Sequence, residues 1–272
     1  MNYSIVQSVT PIVVRRNGTY EAMPDVVVRE QAITIFVNGQ EITTLGCTPE
    51  YVQELVVGFL YAEGFLPGLE ALTSLVLDMV SGTAHAEITG IATPVPAFRT
   101  RRFFSAHEDS PPFYHTADAA LCPVMEAEGR QIEAETAFRL MEQLEARSRL
   151  FRRTGGVHCA AVADHDGRFL AYYEDVARQN TLDKLIGAHL LSGLETEGKS
   201  IVFSGRVSSE IVLKAAKLRC PILIAKSAPN ELGLKLAADL GMTVIGFSKH
   251  ERFNLYTHPE RICVCPGVVL GN

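Results

Sequence analysis

The sequence predicts a mixed α/β protein, with a smaller β-rich amino-terminal part and a larger α/β carboxy-terminal part. Three observations predict it. Residues 200–247 alternate short apolar runs with amphipathic stretches, the pattern of a sheet covered by helices. Residues 1–45 carry strand-like runs broken by two Asn-Gly turns. The composition, 47% hydrophobic and 21% charged over 272 residues, is that of an ordinary globular chain able to bury a sizeable core.

The elements follow in order. Arg16-Asn17-Gly18-Thr19 and Val37-Asn38-Gly39-Gln40 are hairpin signals, because Asn-Gly supplies the positive φ angles of a tight primed turn. Ile33, Ile35 and Val37 alternate toward one face. A helix follows, with Thr48 as N-cap, Pro49 at the first helical position, an apolar stripe of Val52, Leu55, Val56, Phe59 and Leu60, and Gly64 as C-cap. Residues 72–91 return to strand-like alternation. Residues 92–118 hold four prolines and the cluster Arg99, Arg101 and Arg102, which suggests a loop. Residues 131–151 form a helix with Phe138, Met141 and Leu144 on one side. Beyond Thr154 come strands 157–163 and 169–173 around Asp166-Gly167, then a helix near 181–191. Strand 200–203, helix 208–218, strand 221–226, helix 230–240 and strand 242–247 complete the pattern. We divide the chain at the loop, into residues 1–118 and 119–272.

Charge and cysteine usage narrow the function. A net charge of −6 argues against a general nucleic-acid or anionic-membrane binder. No apolar run reaches the roughly 18–20 residues of a membrane span. Arg15 and Arg16 follow the first apolar stretch rather than precede it, the reverse of a secretion signal, so the expected location is the cytoplasm. There a disulfide framework for the six cysteines is not expected.

Several short stretches carry candidate chemistry. Ser204-Gly205-Arg206 falls where a buried strand meets a helix, the usual ligand edge of an open α/β sheet. Glycine allows close backbone approach, the helix terminus favours anions, and arginine adds a fork of donors; the same residues also fit a plain turn. Ser227-Ala228-Pro229-Asn230 repeats the position after the next strand, with helix capping as the simpler role. Phe247-Ser248-Lys249-His250-Glu251-Arg252 follows the next strand, and Lys249 and Arg252 suit a phosphate or guanine nucleotide as well as a solvated loop. Glu174, Asp175, Arg178, Asn180, Asp183 and Lys184 form a dense polar cluster, for which a structural role is favoured. Cys122, beyond the basic loop, is a candidate reactive thiol if accessible; Cys263 and Cys265 are a second candidate, on an expected flexible tail. Cys159 and His158 are neighbours on a strand and point to opposite faces. His85-Ala86-Glu87 matches half of a zinc deaminase signature, but its cysteine half is absent, and no zinc site is read.

Taken together, Thr154–His158, Glu174–Lys184, Ser204–Glu210, Ser227–Pro229, Gly241–Phe247 and Arg252–Thr257 resemble the formate dehydrogenase accessory sulfurtransferase family, FdhD. The resemblance implies a carboxy-terminal α/β/α sandwich similar to cytidine deaminases, used without zinc, and a homodimer. It implies sulfur transfer as a persulfide from a cysteine desulfurase to the bis-molybdopterin guanine dinucleotide molybdenum cofactor of formate dehydrogenase. It assigns cofactor binding to the segment matching Phe247–Arg252. The family carries a C-x-x-C motif in its central loop, where this chain has only Cys122, within Ala119-Ala120-Leu121-Cys122-Pro123. Two main readings result. One is a sulfurtransferase with Cys122 as carrier, Cys263 or Cys265 as substitutes, and the cofactor held by Ser204–Arg206 and Phe247–Arg252. The other is a non-catalytic chaperone that binds the molybdenum cofactor without sulfur chemistry. A nucleotide deaminase is a weaker third.

Overall fold

The structure, a computed structural model, describes residues 4–91, 122–125, 131–249 and 251–264. His250, Cys265 and the whole proline- and arginine-rich segment 92–118 lie outside the described residues. The amino-terminal part contains β1 (Val6–Val9), β2 (Ile12–Val14), β3 (Tyr20–Ala22), β4 (Asp25–Val28), β5 (Gln31–Val37), β6 (Gln40–Cys47), α1 (Val52–Ala62), β7 (Leu72–Asp78) and β8 (Thr83–Ile88). The remainder contains β9 (Ile132–Glu133), α2 (Ala134–Arg147), α3 (Arg149–Thr154), β10 (His158–Ala163), β11 (Phe169–Asp175), α4 (Arg178–Ser192), β12 (Ser200–Phe203) and α5 (Ser209–Lys217). It ends with β13 (Ile222–Ala225), α6 (Glu231–Asp239), β14 (Thr243–Lys249), β15 (Arg252–Thr257) and β16 (Ile262–Cys263). The mixed α/β class expected from the alternation is what the chain forms.

Both Asn-Gly signals close hairpins. Asn38 and Gly39 have φ of 49° and 78°, and Val37 pairs with Gln40 across a two-residue turn. That turn sets the register that points Ile33, Ile35 and Val37 inward, all fully buried against Leu55, Val56 and Leu60 of α1. The four-stranded sheet has the order β6-β5-β8-β7, with β5 and β8 parallel. His85 lies on β8 with its ring stacked on Phe36 at 4.6 Å, so the His-x-Glu half-signature is part of sheet packing. Among the described residues no group of three or more His, Cys, Asp or Glu side chains is placed to hold a metal ion.

The larger sheet has the order β11-β10-β12-β13-β14-β15, with β12, β13 and β14 parallel and the outer strands antiparallel. Its central strands carry continuous apolar runs, Ile201–Phe203, Ile222–Ala225 and Val244–Ile245, because both faces are covered. Ala161, Val202, Ile224 and Ile245 pack toward α2 on one side. Val162, Phe203, Leu223 and Val244 pack toward α4, α5 and α6 on the other. The result is three layers. Among the described residues, no helix is long and apolar enough to cross a membrane.

Four local expectations are corrected. Thr48 does not cap α1, which starts at Val52 after Tyr51 in the left-handed region (φ 56°); the Thr48 side chain is drawn instead into a buried ionic network. The helix expected over 131–151 breaks at Ser148, whose hydroxyl donates back to the Leu144 carbonyl at 2.7 Å. Phe247–Arg252 is not a loop beyond the last strand: Phe247, Ser248 and Lys249 complete β14 and Arg252 opens β15, forming a tight hairpin. Cys263 is not on a loose tail but pairs, in β16, with Glu133 of β9.

The two parts meet where α1 crosses α4. A Cβ on Gly58 would overlap the Asp183 carbonyl, and one on Gly187 would overlap the Glu54 carbonyl, so the helix backbones touch. Gly58→Ala is therefore expected to destabilise the chain by about 3 kcal/mol, measured by denaturant unfolding. Near this crossing Glu63 faces Asp183, Glu210, Lys214 and Lys217, and burial pushes its carboxyl up to about 7. The native state then holds this proton more tightly than the unfolded chain, so the contribution is full below the ordinary glutamate pKa and is lost as pH rises through about 7. Unfolding titrations between about pH 5 and 7.5 should show stability falling with pH, with a shallower slope in Glu63→Gln.

Candidate functional site

The carboxyl ends of β12, β13 and β14 form one edge, and hydrogen bonds link the residues that follow them. The Ser227 hydroxyl donates to the Ser204 carbonyl at 3.2 Å, and Phe247 N–H donates to the Ser227 carbonyl at 3.3 Å. Val207 N–H donates to the Ala228 carbonyl at 3.1 Å and Asn230 N–H to the Val207 carbonyl at 2.9 Å, fastening one strand–helix turn to the next. Asn230 also caps α6 through Gly233 N–H, the simpler of its two expected roles. The structure thus brings Ser204–Arg206 and Phe247–Lys249 together, as the sheet-edge rule requires.

Two glycines let this edge pack closely. A side chain at Gly205 would run into the Phe203 ring, and one at Gly246 would press on Pro229, Tyr256 and the Ser227 carbonyl. Phe247 adopts φ 51° at a bulge in the β14–β15 pairing, and its ring stays 39% exposed. A bulky residue in the left-handed region is strained, and such strain gathers at binding sites. Ser248 is fully buried, and its Oγ has no hydrogen-bond partner among the described residues. Arg206, Lys249, Glu251 and Arg252 are exposed at the same end.

One residue not singled out for this edge joins it. β10 runs antiparallel to β12, so its first residue, His158, arrives beside Ser204 with Nδ1 3.3 Å from the hydroxyl. Burial, and after it the Arg178 charge, lowers the His158 pKa. The Thr154–His158 stretch, placed directly before a strand, was the sequence signal available for His158.

The polar cluster around Asp175 is structural. Lys184 and Asp175 are fully buried with Nζ and Oδ2 2.6 Å apart. Lys184 also donates to Thr48 Oγ1 at 2.9 Å and the Glu174 carbonyl at 3.1 Å. Asn180 donates to Asp175 Oδ1 and to the Gly46 carbonyl, both at 2.9 Å. Asp183 points elsewhere, to Lys214 at 2.7 Å.

The cysteines separate into groups. Burial pushes the Cys47 thiol up to about 12 and raises Cys159 and Cys220 as well, which makes all three poor nucleophiles. Cys122 is only 6% exposed and packs in the core cluster on the α4–α6 side, against the expectation of an accessible thiol. Its segment is tied by Met125 N–H to the Leu240 carbonyl at 2.8 Å, before β14 begins, whereas the crevice lies at the other end of that strand. At the rise of a β-strand the separation is roughly 15–20 Å. The structure therefore does not bring Cys122 to the crevice. Cys263 is partly exposed and donates to Gln131 Oε1 at 3.0 Å.

These features define an α/β protein with polar and charged residues gathered along the carboxyl edge of its larger sheet, where open α/β sheets have their crevice. Residues 28–263 match the model of the FdhD/NarQ family, and the chain belongs to that family. It is 39% identical over 249 residues to the sulfur carrier protein FdhD of Listeria monocytogenes serotype 4b (strain F2365), covering 90% of this chain and 94% of that protein. It is 40% identical over 255 residues to the sulfur carrier protein FdhD of Geobacillus kaustophilus (strain HTA426), covering 93% and 96%. The fold is shared with the crystal structure of a candidate formate dehydrogenase accessory protein from Desulfotalea psychrophila, at a TM-score of 0.77 and 24% identity, over 96% of this chain and 100% of the other.

Native-state thiol labelling followed by mass spectrometry should modify Cys263 at least tenfold faster than Cys47, Cys159 or Cys220, which should react only as the chain unfolds.

Proposed function

We propose that this chain is a sulfur carrier serving formate dehydrogenase. In this reading a thiolate of the chain attacks the outer sulfur of a cysteine desulfurase persulfide. A new S–S bond forms on the chain as the donor's S–S bond breaks, and the donor thiolate leaves, with no net oxidation. The outer sulfur then passes to a bis-molybdopterin guanine dinucleotide molybdenum cofactor, bound as substrate: the S–S bond breaks, the chain's thiolate is restored, and a two-electron reductant, the cofactor in its reduced state or an external thiol, brings the sulfur to the sulfide level. Ser204–Arg206 and Phe247–Arg252 hold its dinucleotide part, Lys249 and Arg252 meeting phosphate. The observation that carries the proposal is the near-full-length match to proteins named sulfur carriers, joined to a crevice that unites both candidate binding segments. The same reading takes the three-layer part as cytidine-deaminase-like and zinc-free, and the protein as a cytoplasmic homodimer.

Cys122 is the proposed carrier. Its burial means that transfer requires the 122–125 segment to leave its packing beside Leu240. That burial, and the distance to the crevice, also favour a second reading, a chaperone that binds the molybdenum cofactor without sulfur chemistry.

Incubation with a cysteine desulfurase and cysteine, followed by peptide mass spectrometry, tests both. Added sulfur on Cys122, absent in Cys122→Ala, is the expected result. Sulfur on Cys263 or Cys265 moves the carrier to the carboxyl-terminal segment. No added sulfur, with a demonstrably active donor, leaves the chaperone.

A further inference from the structure

The bonding around His158 favours one of its two tautomers. The Ser204 hydroxyl already accepts from Cys159 N–H at 2.9 Å, and it lies 3.3 Å from His158 Nδ1. It has one hydrogen to give. The acceptors near it are the imidazole nitrogen and the Cys159 sulfur, and a ring nitrogen accepts far better than a thiol. With Nδ1 accepting, the neutral ring carries its proton on Nε2. Burial and Arg178 both disfavour a second proton. His158 Nε2 has no hydrogen-bond partner among the described residues. This edge therefore carries an N–H donor that has no partner among the described residues, within reach of the Arg178 charge.

We propose that His158 determines ligand specificity in the crevice by donating its Nε2–H to an oxygen of a nucleotide diphosphate, with Arg178 supplying the nearby positive charge. The proposal rests on the reading of the crevice as a guanine-dinucleotide site. A neutral donor beside a guanidinium suits a phosphate oxygen, which offers charge and several lone pairs. Ser204 is a positioning residue: it holds the ring in the donating tautomer. Sequence motif matching cannot assign this role, because it arises only when β10 pairs antiparallel with β12.

Two measurements test it on the full chain. Long-range proton–nitrogen NMR at neutral pH should give the Nε2–H pattern for His158; an Nδ1–H pattern overturns the proposal. Binding titrations with GDP, inorganic pyrophosphate and guanosine supply the second readout, on wild type, His158→Asn and His158→Gln. A glutamine amide reaches the Nε2 position and an asparagine amide only the Nδ1 position. His158→Asn should weaken GDP and pyrophosphate on the order of tenfold, the loss of one hydrogen bond to a charged group. His158→Gln should recover most of that loss, and guanosine binding should not change between variants. Unchanged GDP binding in His158→Asn, no recovery in His158→Gln, or an equal loss with guanosine each overturns the diphosphate role while leaving the crevice as a nucleotide site. Wild type that binds neither GDP nor pyrophosphate overturns the nucleotide reading of the crevice and this role with it.

Discussion

The buried pair of Lys184 and Asp175 holds the rest of the structure in place. Removing two charges from water costs more than their attraction returns unless every remaining donor and acceptor is matched. Here they are matched from both parts of the chain. Thr48 and the Gly46 carbonyl come from the end of β6; the Glu174 carbonyl comes from the end of β11 and Asn180 from the start of α4. The network locks the entry to α1 onto the β11–α4 turn. That turn leads into Arg178, whose charge, after burial, lowers the His158 pKa.

Local patterns were legible where local physics decides. Asn38-Gly39 announced its turn because only residues tolerant of positive φ close a two-residue hairpin. The apolar runs at 200–203 and 222–225 announced buried strands because both faces are covered. Ser204–Arg206 and Phe247–Lys249 meet at one edge because consecutive parallel strands end together. Thr48 was misread because its partner, Asp175, lies 127 residues away, and a buried charge outbids a helix terminus for a hydroxyl. Cys263 was misread because a two-residue parallel pairing leaves too short a pattern to detect.

The distribution of thiols bears on chemistry. Cys47, Cys159 and Cys220 occupy positions a small apolar side chain would fill, and their environments suppress the thiolate. Reactivity is thereby confined to the segments that border the sheet rather than those that build it. A carrier thiol at one edge and a binding crevice at the other would have to meet by movement of the former, since the two strand–helix turns of the crevice are bonded to each other.

The contact between α1 and α4 has a consequence for how the chain can vary. Where side chains separate two helices, one can be altered and the other repacked around it. Here carbonyl groups and glycines meet directly, and neither helix has anything to trim. Chimeras that take residues 1–91 from one relative and the remainder from another would fit together only if both donors keep glycine at this crossing. The two parts must therefore be inherited as a matched pair, even though each has a hydrophobic core of its own.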